Sequence, residues 1–449
     1  MRQMTLVAFL QAQNCSNFVG SWRHPGASSD FMSAAYYQRI GRVLEEGRFH
    51  LGFFDDRLAM PDRYGGDHAH AVENGIRCVK MDPVTILTVM GMATEKLGLG
   101  ATYSTTYYEP YHVARVFATL DLMSGGRAAW NVVTSMNDGE ALNMGVGQHM
   151  EHDLRYDRAD EFMEVVHGHW DAWADESLVV DKSSGVFARP GTVSRLDYEG
   201  RFFRSRGPFT VPRSAQGHPV IIQAGQSGRG QRFAARWAEL VFVAYHEMDR
   251  GRVDYAAFKQ AVSAAGRDPA QVLVTMACYP VVAETRVEAQ EKLAVAEGLA
   301  KDIDRLSLLS EVLNFDFATK EIDEPFSDQD LANISGVQAM RDRVIRRSGK
   351  ANPTTRDFID ISGRGTIHDH PVFCGTPTDV ADQMEAWFTA PACDGFVVAA
   401  SHVPGAYEEF VRFVVPELQR RGLHRREFAG TTLRENLGMA RPALGAWHH

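Results

Sequence analysis

Between residues 219 and 230 the chain reads PVIIQAGQSGRG. An apolar run meets a glycine- and serine-rich turn, and a helix-compatible stretch follows. Free backbone N–H groups at a helix N-terminus suit a phosphate. Gly225, Ser227, Gly228, Arg229 and Gly230 supply that setting; the bland alternative is a tight turn that needs glycine. The turn is not a hydrolase elbow, because Arg229 stands where G-x-S-x-G requires glycine. It also lacks the Gly-Lys-Ser/Thr of a P-loop, and no G-x-G-x-x-G occurs in the chain, so a built-in nicotinamide site has no support. A second group is Trp22-Arg23-His24-Pro25. An aromatic ring, a fixed cation and a titratable imidazole suit an anionic or aromatic substrate, and equally suit a packed loop with a rim ion pair. In Glu151-His152-x-x-Arg155-Tyr156, a histidine and a tyrosine four residues apart would meet on one helix face. The histidine pairs His68/His70, His149/His152 and His368/His370 lack carboxylate or cysteine partners at ligand spacing, so no metal is expected.

The elements that must position these groups are legible as alternation. The stretch 97–138 reads as strand, loop, helix, strand: an apolar run, Pro110 at a helix start, Val113, Phe117, Leu120 and Met123 on one helical face, Gly125-Gly126 as the stop, then a second apolar run. Strands apolar on both faces belong to parallel sheets covered by helices. Both runs lead into small polar side chains: Thr102, Ser104, Thr105 and Thr106 in the first, Asn131, Thr134, Ser135 and Asn137 in the second. In parallel α/β folds the carboxyl ends of strands carry the site. Apolar runs predict strands over 4–10, 49–54, 97–102, 128–133, 220–224, 239–244, 272–279 and 394–399, with helical stretches between them. Among these helices are one capped by Asp82-Pro83 and running to about residue 96, one over 255–265 and a last one over 406–421. Eight alternating units predict a (β/α)8 barrel, with a doubly wound sheet as the alternative. Residues 174–217 read as a polar, irregular insertion and 303–370 as a mostly helical one, within a single barrel domain spanning 1–449.

Bulk properties narrow the function classes. The chain has 449 residues, 45% of them hydrophobic, enough for a large core. A net charge of −10 without a long Lys/Arg run argues against nucleic acid. Five scattered cysteines with no CxxC pair fit reduced thiols in a cytosol. The apolar run at residues 4–10 is too short for a membrane span and has no signal-peptide cleavage pattern. A small-molecule enzyme of the cytoplasm is the expectation.

At particular residues the chain resembles the bacterial-luciferase-like flavin monooxygenases, in the group of the nitrilotriacetate and dibenzothiophene-sulfone monooxygenases. The matching stretches are WRHP (22–25), TYYEPYHVARVFATLD (106–121), GGRAAWNVVTS (125–135), EHDLRYDRADEFMEV (151–165), GPFTVPRSAQGHPVIIQAGQSGRG (207–230), DGF (394–396) and VVPELQRRG (414–422). The resemblance implies a TIM barrel that takes FMN already reduced by a partner NAD(P)H:flavin reductase, uses O2 as co-substrate, and works as a homodimer or homotetramer. It implies FMN phosphate on Ser227, Gly228 and neighbouring N–H groups with Tyr156 alongside, and flavin contacts from Asp56, Thr102, Asn131 and His152. Trp22, Arg23, Met136 and His246 would line the substrate pocket, and His24 would act there as acid or base. Sulfone-cleaving members carry histidine where Val312 aligns, and alkane-oxidising members carry it where Met136 aligns. That turns the expectation toward small substrates with a carbon–sulfur, carbon–nitrogen or carbon–halogen bond. A deazaflavin-dependent oxidoreductase and a flavin-binding protein without turnover are the alternatives.

Overall fold

The computed structural model describes residues 2–147, 149–225 and 228–447. Eight strands form the barrel: β1 Thr5–Gln11, β2 Leu51–Asp55, β3 Gly98–Ser104, β4 Ala128–Val133, β5 Val220–Gln223, β6 Leu240–Val243, β7 Leu273–Val282 and β8 Gly395–Ala399. Each pairs in parallel with its neighbours, and β8–β1 and β6–β7 pairing closes the ring. This is a TIM barrel. Parallel neighbours need long crossovers, and each crossover here contains a helix. Four of these are Ala34–Glu46, Pro83–Gly91, Pro110–Met123 and His152–Trp170. The expected starts at Asp82-Pro83 and Pro110 hold, but the first of these helices stops at Gly91 rather than near residue 96. The helix after β6 begins at Met248, two turns before the apolar spacing suggested.

Side chains alternate across a strand, and that alternation explains why these strands are apolar throughout. Val7, Phe53, Ala129, Ile222, Phe242, Ala277 and Val397 fill the barrel interior. Leu6, Ala8, Leu10, Trp130, Val132, Met276 and Val398 pack outward in the larger core with the helices. The amino-terminal end of the barrel is stoppered by a short helix, Leu433–Leu437, that sequence reading missed beyond residue 421. Leu433, Leu437 and Met439 join the inner core, and the Leu433 N–H donates to the Gly126 carbonyl at 2.9 Å. Arg434 pairs with Glu239 (2.9 Å), which offsets the burial of that carboxylate and holds its pKa below the usual range.

Residues 174–217 hold two exposed antiparallel hairpins, Leu178–Asp181 with Val186–Ala188 and Tyr198–Glu199 with Arg204–Ser205. Strands this short carry too little periodicity to be read in advance. The second insertion contains Asp302–Leu313, Gln338–Ser348 and Thr355–Ser362 around its own cluster of Phe315, Phe317, Phe326 and Phe358. Val312 belongs to that apolar cluster. The segment returns through a strand not anticipated, Val372–Gly375, which pairs with the outer end of β7. Among the described residues no helix is long and apolar enough to cross a membrane, and the five cysteines form no disulfide.

The second insertion is tied to the β1 loop by one ion pair. Arg23 donates to both Asp304 oxygens, at 2.6 and 3.0 Å, and to the carbonyls of Leu299 (3.1 Å) and Asn74 (2.8 Å). Asp304 is 0% exposed. Trp22 donates from Nε1 to the same Asn74 carbonyl at 3.0 Å, and a Cβ on Gly75 would stand 2.7 Å from that nitrogen. Arg23 and Trp22, expected to line a substrate pocket, are therefore anchors: the guanidinium is engaged by Asp304 and two carbonyls. Asp304→Ala leaves a buried guanidinium unpaired, which costs about 3–5 kcal/mol. Denaturant unfolding should show that loss; a loss below about 1 kcal/mol, the size of a surface pair, would deny the clamp its role.

Candidate active site

At the carboxyl ends of β3 and β4 the inward positions turn polar. Thr102 and Asn131 are register partners. Asn131 Nδ2 donates to Thr102 Oγ1 at 2.8 Å, and Thr102 Oγ1 donates to the Phe54 carbonyl at 3.0 Å. Asn131 Oδ1 is buried and accepts no hydrogen bond among the described residues. A buried acceptor without a donor is costly, so this oxygen waits for an N–H brought by a ligand. The imide N–H of an isoalloxazine ring fits that need.

Beside them, the end of β2 carries two adjacent carboxyl groups in opposite states. Burial raises Asp55, but Lys80 and Arg77 outweigh it and hold its pKa below the usual carboxylate range; Lys80 Nζ bonds Asp55 directly. Asp56 lacks such compensation. Burial, and then Asp55 beside it, push its carboxyl up to about 7 against the pull of Lys80 and of the Arg57 backbone N–H. Divergent environments of this kind separate a proton-holding group from a fixed charge.

Across the barrel, β5 leads into the glycine turn, and the helix Gly228–Trp237 follows. Ser227, expected on the phosphate, lies outside the described residues, as does Gln226. Gly225 donates its N–H to Gln223 Oε1 at 2.6 Å, and a Cβ there would stand 2.9 Å from Tyr156 Oη. Glycine is thus what lets the tyrosine hydroxyl reach the turn. The His152 and Tyr156 rings meet edge to face at 5.2 Å on the helix His152–Trp170. Arg229, counted toward phosphate by its position, is engaged elsewhere. It bonds Asp157 at 3.1 Å and Asp160 at 2.6 Å, fixing the start of its helix against the one bearing Tyr156. Gly228, at the first position of its helix, keeps the place expected for it.

The remaining expected residues are spread around the rim. His24 is half-buried and stacks on His402 with ring centroids 3.8 Å apart. Its Nδ1 accepts the Gly26 N–H at 3.0 Å, so the neutral ring carries its proton on Nε2. Burial lowers its pKa against the opposing field of Glu409. His402, following β8, is pushed down to about 3 by burial and by His24. Met136 is 46% exposed and His246 is exposed beyond β6.

Sequence reading missed most of the polar lining. Lys80 joins Gln11 Oε1 (3.0 Å) and Gln13 Oε1 (3.3 Å) to Asp55. Arg77 reaches Asn17, and Asn17 in turn reaches Tyr279 and His370. On the other side, Tyr107 bonds His149 at 2.6 Å, and Arg155 bonds His149. Arg77 and Ser135 take left-handed φ values of 49° and 55° without being glycine, a strained setting that packing must enforce. His149, His370, Arg155 and Ser135 fall in stretches singled out above, but nothing along the chain joins any of them to its partner here. Among the described residues no group of three His, Cys, Asp or Glu side chains could hold a metal ion.

Comparison with known proteins agrees with this geometry. Residues 14–394 match the family described as luciferase-like monooxygenase. The chain is 44% identical to the dibenzothiophene-sulfone monooxygenase of Rhodococcus erythropolis, over 99% of this chain and 98% of that one. It is 38% identical to nitrilotriacetate monooxygenase component A of Aminobacter aminovorans, over 94% of each. Among solved structures, riboflavin lyase with modified FMN and riboflavin superposes with a TM-score of 0.88 at 29% identity, covering 98% of this chain and 96% of that one. With a TIM barrel whose polar lining gathers at the carboxyl ends of its strands, the chain belongs to the luciferase-like monooxygenase family.

Proposed function

We propose that this chain is the oxygenase of a two-component system: it takes FMN reduced by a separate NAD(P)H:flavin reductase and uses O2 to oxidise and cleave a carbon–heteroatom bond of a small organic substrate. The observation that carries the reading is the buried, unpaired Asn131 Oδ1 held by Thr102 at the barrel mouth. The names of the relatives support carbon–sulfur and carbon–nitrogen bonds as the targets, and the component A designation supports a reductase partner. A homodimer or homotetramer in the cytoplasm completes the proposal.

Bound reduced FMN would supply two electrons, so that one atom of O2 enters the substrate and the other leaves as water. The chain's own contribution is placement and exclusion of water. Asn131 would accept from the flavin ring and Thr102 would hold that amide in place. Gly228, Ser227 and the turn's N–H groups would take the phosphate, with Tyr156 and His152 beside them. Asp56 would hold or release a proton near neutral pH. His24, neutral with its proton on Nε2, would donate to the reacting oxygen or the substrate, at a worth of about 10²–10⁴-fold in rate. Met136 and His246 would border the substrate's path.

Three measurements test this. Reduced FMN with O2 should be consumed with substrate oxidation, whereas reduced deazaflavin should not serve. His24→Ala should keep FMN affinity and lower product per flavin oxidised; flavin oxidation indifferent to every sulfur and nitrogen compound offered would count against turnover. Ring and phosphate contacts should separate by ligand. Tyr156→Phe should weaken FMN but not riboflavin, and Asn131→Leu should weaken both, each by about 0.5–3 kcal/mol. Identical effects on the two ligands in Tyr156→Phe would place the hydroxyl away from the phosphate.

Asp56 gives a pH signature. Its folded pKa lies above its unfolded value, so the native state binds the extra proton, and stability falls as pH rises from about 4 to about 7. Asp56→Asn removes that dependence. The variant should gain melting temperature over the parent at pH 8 and show little gain at pH 4; equal shifts at both pH values would mean Asp56 is not proton-linked.

A further inference from the structure

The loop between β2 and β3 holds two guanidinium groups that form no ion pair with a carboxylate among the described residues. Arg77 is 6% exposed, and its Nη2 donates only to the carbonyl (3.2 Å) and the side-chain oxygen (2.9 Å) of Asn17. Its Nε has no acceptor among the described residues. Arg57, two residues beyond β2, has a fully buried Nη1 without a partner, and no ion pair reaches it among the described residues. The two are close enough to repel. Burial, then Arg364 and Arg57, hold the pKa of Arg77 down to about 10 against the pull of the Lys80-paired Asp55.

The carboxylates of this region are engaged elsewhere. Asp55 is paired with Lys80, and Asp369 with Arg364. Glu311 accepts the N–H groups of Asp62 (3.1 Å) and Arg63 (3.0 Å) and the amide of Asn137 (3.2 Å). Asp56 is close to half-protonated at neutral pH. Two buried donors on the returning end of the second insertion also have no acceptor among the described residues. One is Arg364 Nε; the other is His370 Nδ1, which carries the ring proton because Nε2 accepts from Asn17 Nδ2 at 3.3 Å. A buried cation without a counter-charge is costly, and two side by side with spare donors are more so. An entering oxyanion would offset the repulsion between the two guanidinium groups, since their forks match the oxygens of a carboxylate or a sulfur oxyanion. The phosphate turn follows β5, three strands away from β2 around the ring, so the cofactor's own anion has a different seat.

We propose that the substrate carries an anionic group, a carboxylate or a sulfur oxyanion, that docks on the guanidinium groups of Arg57 and Arg77 at the β1–β2 side of the mouth. That the ligand is the substrate rests on the flavin monooxygenase reading; that the site binds an anion does not. The test titrates the full-length chain, with and without saturating FMN, using two matched pairs: benzoate against benzamide, and benzenesulfinate against methyl phenyl sulfone. The anion of each pair should bind at least tenfold more tightly than its neutral partner. Arg57→Met should erase that preference, weakening the anions by about 10- to 100-fold with little change for the neutral probes. Its melting temperature should hold or rise, because Arg57 has no partner to lose. Arg77→Lys, which keeps a charge but not the fork, should fall between the parent and Arg57→Met. A parent with no preference for the anions overturns the proposal. So does an Arg57→Met that weakens both members of a pair alike, or that weakens FMN rather than the anions. FMN titration of the same samples keeps the two readings apart: a chain that refuses FMN yet shows Arg57-dependent anion preference removes the flavin reading and leaves the anion site standing.

Discussion

Along β4 the inward side chain changes from a methyl at Ala129 to an amide at Asn131, and along β2 from Phe53 to Asp55. That change, repeated around a closed ring, is the constraint from which the site follows. A closed parallel barrel leaves no free edge, and its interior is filled by side chains. Apolar groups fill the lower layers at no polar cost. Every polar atom admitted above them must find a partner in a space that water barely enters. Thr102 meets this by donating to the Phe54 carbonyl, and Asp55 by pairing with Lys80. Asn131 Oδ1, Arg57 Nη1 and Arg77 Nε do not meet it within the described residues. These three lie at the carboxyl ends of the strands, where ligands are expected; others, such as His167 Nε2 and His424 Nδ1, lie away from the mouth.

The same accounting separates scaffold from site among residues of one chemical type. Arg23, Arg229 and Arg434 are arginines with their forks filled by Asp304, by Asp157 and Asp160, and by Glu239. They hold the second insertion, the phosphate-turn helix and the barrel stopper in place. Arg57 and Arg77 are arginines whose forks are not filled by acids. The β1 loop therefore does two jobs within ten residues. Arg23 clamps the insertion that returns Arg364, Asp369 and His370 to the mouth, and Asn17 links Arg77 to His370. Loss of the clamp would loosen both the insertion and the cationic cluster it completes.

Much of the scaffold was legible along the chain. Eight doubly apolar runs, Pro110 and Asp82-Pro83 as helix starts, and Gly125-Gly126 as a stop are local signals, and a parallel barrel is the arrangement that buries such strands on both faces. The Thr102–Asn131 pair was half legible, because polar residues at the ends of successive strands must become neighbours once those strands pair in register. The hairpins at 174–217, the strand Val372–Gly375 and the stopper helix Leu433–Leu437 were not. Each is two to five residues long and owes its existence to what it packs or pairs with.

By itself, the sequence determined the eight barrel strands, their two-faced burial, the glycine turn and the side-chain types at the strand ends, because all of these depend on residues adjacent along the chain. Only the tertiary structure decided which charges meet. Nothing local distinguishes Arg23 from Arg57, yet Asp304, 281 positions away, neutralises the first, and among the described residues no carboxylate pairs with the second. Nor does anything local separate Asp55 from Asp56, although Lys80 holds one ionised and burial drives the other to about 7. Charge pairing and desolvation are properties of neighbours in space, and in this barrel those neighbours arrive from loops up to hundreds of residues apart.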